Sequence, residues 1–147
     1  MSERKQNKKI DKRAPVIVGV GDLVDRSKED GLNPQELLAR ACEHAIQDSG
    51  IKELNNHIDY IGVVRFTVDF LTATNQSNFQ YSNFPRTLAN KLDVSAKHEV
   101  YAPMGGNSPQ VLLEDALIKI SAGETNCALL TGGEALQTMI AKLKAGM

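Results

Sequence analysis

Tryptophan is absent from the sequence, aromatic residues make up only 5% of it, and cysteine occurs twice. Nucleic-acid-binding domains present a basic face interleaved with aromatic platforms, so this scarcity argues against a nucleic-acid partner. Cys42 and Cys127 lie far apart, each inside an apolar stretch. They read as small buried hydrophobes rather than as a disulfide frame or a zinc site. His44, His57 and His98 show no metal-ligand spacing, and no metal is expected. No apolar run reaches the roughly eighteen residues of a membrane-spanning helix, and no apolar segment follows the N-terminal charges. Neither a membrane partner nor a signal sequence is expected, and the expected location is cytoplasmic.

What remains is an ordinary globular composition, 41% apolar and 24% charged. A chain of 147 residues can bury one sizeable core, so a single domain is expected. Charge is uneven. Residues 1–13 hold six basic and two acidic side chains, whereas the remainder holds eleven basic and sixteen acidic ones. The reading is a basic flexible tail over 1–13, followed by a mildly acidic domain over 14–147.

Pro15 to Gly21, a β-branched run closed by glycine, predicts a strand buried on both faces. Asn33-Pro34-Gln35-Glu36 predicts a helix start, with Asn33 as cap, Pro34 at the first helical position and Glu36 completing a capping box. Leu37, Leu38, Ala41, Cys42, Ala45 and Ile46 then form one apolar stripe, so a helix is predicted over 34–48. A second strand is predicted over 58–66, a short helix over 85–92, a third strand over 98–101 and a helix over 109–121. A fourth strand is predicted over 127–131, and a last helix over 134–144. Between Asp69 and Arg86 the chain carries no charge and is rich in Asn, Gln, Ser and Thr. That long stretch reads either as a functional or interface loop or as an excursion packed by its own aromatics. Strand and helix alternating four times predict an α/β fold, a βαβαβαβ unit with a mostly parallel sheet and helices on both faces. Ligands in such sheets gather at the carboxyl ends of the strands, where the turns at Gly105 and Gly132 fall.

Two motifs fall short of a function. Gly19-Val20-Gly21 lacks the third glycine of the dinucleotide fingerprint, since Val24 stands there, and no helix start follows. Gly106-Asn107-Ser108-Pro109-Gln110 echoes the nucleophile elbow of hydrolases, but it ends in Gln, and Ser-Pro at a helix start reads as a cap.

Taken together, Pro15 to Gly21, Asn83 to Ala89, Gly105 to Gln110 and Ala128 to Leu136 resemble the N-terminal half of thiolase-superfamily proteins. The likeness is to the acetyl-CoA acetyltransferase-like group, whose motif reads Gly-Gly-Asn-Ser/Thr-Pro-Gln, and it covers most of residues 14–140. The resemblance implies acyl transfer to or from CoA thioesters, with no further cofactor. Active members place a nucleophilic cysteine where the third strand turns into its helix, because the helix N-terminus favours the thiolate. Aligning Gln110 with the shared Gln puts Gly105 at that position, so no catalytic residue is expected there. Members also continue into a second half that supplies His and Cys for proton transfer.

The resemblance therefore implies a catalytically incompetent N-terminal unit of a thiolase-like acetyl-CoA acetyltransferase. Gly105, Gly106, Asn107 and Ser108 would be its substrate-binding residues. Two alternatives remain open: a non-catalytic module that binds acyl-CoA or CoA, and a structural subunit of a homo-oligomer or of an assembly that supplies the C-terminal half.

Overall fold

A computed structural model describes residues 11–27, 31–67, 69 and 83–144. Among these, four α-helices and three strands alternate: α1 (Pro34–Asp48), β1 (Tyr60–Val63), α2 (Phe84–Lys91), β2 (His98–Tyr101), α3 (Ser108–Ala122), β3 (Ala128–Thr131) and α4 (Leu136–Lys144). The strands form one parallel sheet in the order β2-β1-β3. Tyr60 stands opposite both His98 and Ala128. The α/β class and the parallel sheet are as the sequence predicts. The predicted basic tail lies largely outside the described residues, as does most of the uncharged stretch after Asp69.

Because side chains alternate along a strand, β1 divides its residues between the two faces. Ile61 and Val63 join Leu38, Ala39 and Cys42 of α1, Phe84 and Leu88 of α2 and Leu129 of β3 in one buried cluster. Phe66 meets Phe84 edge to face at 4.6 Å between ring centres, an arrangement that adds about 1 kcal/mol to the burial itself. The other face carries Tyr60 and Gly62 and receives α3. The buried Tyr60 hydroxyl donates to Asp115 of α3 at 2.8 Å. Glycine at 62 makes room there: a Cβ would stand 2.9 Å from Leu130 and 3.2 Å from Leu112. Helices thus cover both faces.

The Asn33 side chain caps α1 by accepting from the Glu36 N–H at 2.9 Å. Glu36 does not complete a capping box. Its carboxylate turns instead to Arg40 at 3.1 Å and to Lys91 of α2 at 2.7 Å, tying two helices together.

The first predicted strand is a correction. Pro15 to Gly21 pairs with no strand, and Val16 and Ile17 are 75% and 81% exposed rather than buried. The segment lies against α1, where a Cβ at Gly19 would collide with the Ala45 carbonyl and one at Gly21 with the backbone of Ala41 and Ala45. The Val20 N–H donates to Asp48 of α1 at 2.9 Å. β-branched composition describes a residue's fitness for a pleated surface, not the presence of a neighbour to pair with, and here the glycines fix the backbone to a helix instead.

At the amino end of the sheet one carboxylate holds the three strand entrances. Asp59 accepts from the Asn126 N–H at 3.0 Å, the Cys127 N–H at 3.3 Å and the Asn126 side-chain amide at 3.0 Å. Lys97 approaches to 3.6 Å. The Asp59 backbone completes the knot: its carbonyl accepts from Lys97 and His98, and its N–H donates to the Cys127 carbonyl. Burial alone would raise the Asp59 pKa, but the backbone N–H groups of Cys127 and Asn126, the Asn126 amide and the Lys97 charge outweigh it, so the carboxyl sits below its ordinary range.

A depressed carboxyl pKa stabilises the fold above the unfolded value of about 3.9, and that stability is lost as pH falls through the lower folded value. Asp59→Asn should cost about 2–4 kcal/mol at neutral pH, since its amide N–H₂ faces other donors. Denaturant unfolding at neutral pH and below pH about 4 measures both effects. The gap between wild type and variant should narrow in acid, and an equal gap at both pH values would contradict this account of Asp59.

Candidate functional site

The carboxyl ends of the parallel strands converge on the turn between β2 and α3. Beyond Tyr101 the ladder continues for one residue, with the Ala102 N–H donating to the Val63 carbonyl at 2.9 Å. Pro103 then turns the chain out, and Met104, Gly105, Gly106 and Asn107 are exposed at the tip. The turn closes through the Ser108 N–H, which donates to the Gly105 carbonyl at 3.0 Å, and α3 begins. The predicted binding residues Gly105, Gly106, Asn107 and Ser108 are therefore contiguous at one helix start, but they do not behave alike.

Ser108 is not the helix cap. Asn107 occupies the cap position, and its side chain makes no cap bond. Ser108 is the first helical residue, 2% exposed, and its hydroxyl donates to the Pro103 carbonyl at 2.6 Å. Its role is to fold the turn back on itself, which commits the hydroxyl's proton and removes Ser108 as a nucleophile. Gly106 is the most open point: a Cβ there would meet nothing within 4 Å. A Cβ on Gly105 would meet the Asn107 side-chain oxygen at 3.0 Å and Ser108 Oγ at 3.7 Å. Gly105 has no positive φ, so a side chain there requires only that the exposed Asn107 amide swing aside.

Neither thiol lies at this turn. Cys42 is buried in α1, hydrogen-bonded to Thr131, and burial pushes its pKa up to about 11. Cys127 stands at the opposite, amino end of the sheet beside Asp59, where burial first and the carboxylate second raise its pKa. Both are thiols rather than thiolates at neutral pH, which makes them poor nucleophiles.

A second group at the strand ends escaped the sequence reading. The Arg65 guanidinium donates to the Ala102 carbonyl at 3.1 Å, reaches Asp69 at 3.4 Å and lies 4.2 Å above the Tyr101 ring. The Tyr101 hydroxyl donates to Asp69 at 2.7 Å and accepts from the Phe66 N–H at 3.3 Å. Burial, followed by the hydrogen bond to Asp69, raises the Tyr101 pKa, so the phenol stays protonated. Glu134, just beyond β3, accepts from the Thr67 N–H at 2.7 Å. These residues couple the exits of all three strands and buttress the turn from below. The only sequence signal for them was a charged pair four residues apart at a strand end. Among the described residues no cluster of His, Cys, Asp and Glu could hold a metal ion, and no helix is long and apolar enough to cross a membrane.

The chain is an α/β unit on a parallel sheet, and its fold is thiolase-like. Among solved structures it is similar to a monomeric SCP2-thiolase-like protein type 1 from Mycobacterium smegmatis, with 31% identity and a TM-score of 0.67. The match covers 83% of this chain and 24% of that protein, so the chain spans about a quarter of its length. No protein-family model matches the chain, and no curated protein does.

If the turn keeps a geometry that activates sulfur, Gly105→Cys should create a reactive thiol at the N-terminus of α3. Its alkylation by iodoacetamide should titrate with a pKa below the free-cysteine value of about 8.5 and run about tenfold faster at pH 7 than that of Cys42 or Cys127. A pKa at or above the free value would show that the turn has no such effect.

Proposed function

We propose that this chain is the nucleophile-side unit of a thiolase-like acetyl-CoA acetyltransferase-type protein, and that its own residues carry out no covalent acyl transfer. One observation carries the reading: the β2-to-α3 turn, where the resemblance locates an attacking cysteine, has Gly105 in that place and a neighbouring hydroxyl already committed to Pro103. Loss of a covalent nucleophile costs on the order of 10⁶-fold in kcat in hydrolases, and here no second thiol stands close enough to substitute. The purified chain should show no thiolysis of acetoacetyl-CoA above the buffer background, and turnover well above it would overturn the reading.

The same turn supports binding without reaction. Gly106 leaves open space beside a helix start, so the backbone can approach a thioester carbonyl closely. Isothermal titration with acetyl-CoA should then give heat, with free CoA as the comparison, and Gly106→Val should weaken binding about tenfold or more. Heat indistinguishable from dilution removes the binding role.

A second reading, that the chain works as part of a larger assembly, is favoured by α3. Only Ser108, Leu112 and Ala116 of that helix are buried, while Val111, Leu113, Leu117 and Ile118 are exposed along its outer half, interrupted by Gln110 and Glu114. A helix that carries apolar side chains on its outer as well as its inner face is ordinarily covered on both. Light scattering at tens of micromolar should report a mass above the 16.0 kDa of one chain, falling to that value in Leu117→Glu/Ile118→Glu. A monomeric wild type would exclude self-association through α3.

A further inference from the structure

We draw no further inference here: the strongest candidate, the exposed apolar face of the Pro15 to Gly21 segment that lies along α1, carries nothing because nothing in the structure shows what covers it.

Discussion

Asp59 sets the phase of the whole sheet. A parallel ladder has no hairpin turn to fix its register, so each strand must be started at the right residue by something local. Here the carboxylate gathers the N–H groups at the entrance to β3, while the backbone of the same residue binds the entrances to β2 and β3. A slip of one residue in β1 would exchange Ile61 and Val63 for Tyr60 and Gly62, driving the phenol into the α1 and α2 face and opening a void against α3. The same register delivers Val63, Tyr101 and Thr131 side by side at the carboxyl end. The geometry of the turn is thus determined at the far end of the strands.

From that level end, two polar groups shape the turn. The Ser108 hydroxyl pulls Pro103 toward the helix start, and Arg65 holds the Ala102 carbonyl from the β1 side. Arg65 is itself fixed by stacking on Tyr101 and by Asp69, so the support is made from the exits of β1 and β2 rather than from the turn's own sequence. Such a frame could present a side chain at position 105 in a defined place. The residue there is glycine, which presents only backbone. Backbone N–H groups and open approach can hold an oxygen but form no bond to carbon, which is the ground for proposing binding without reaction.

Much of this arrangement was legible in the sequence where the signal is local. The stripe from Leu37 to Ile46, bounded by Asn33-Pro34 and Gly50, places α1 at its observed limits, and β2 falls where predicted. Capping and periodicity act within a few residues, so one chain is enough to read them. Apart from Ser108, whose hydroxyl turns back to Pro103 five residues before it, the misreadings required a partner distant in sequence. Glu36 has the spacing of a capping box but is drawn off by Lys91, fifty-five positions later. Pro15 to Gly21 has the composition of a strand but is held by α1. Arg65, Tyr101 and Glu134 belong to three different strand exits, and only the assembled sheet brings them together. The Asp59 knot escaped for the same reason, since Asn126 and Lys97 carry no mark in sequence of the carboxylate they serve.

The apolar surface is the remaining strain on the account of a self-sufficient fold. Gly19 and Gly21 lie against α1, while Val16, Ile17, Val18 and Val20 of the same segment are exposed. Val111, Leu117 and Ile118 of α3 are exposed as well. Single surface hydrophobes need no explanation, whereas several exposed branched side chains on one element are the pattern of a covered surface. Each exposed valine or isoleucine forgoes about 1.5–3 kcal/mol that burial would return, a large sum against the 5–15 kcal/mol by which domains are usually stable. That cost falls away only where such residues are covered, and it is what supports the proposal of a larger assembly.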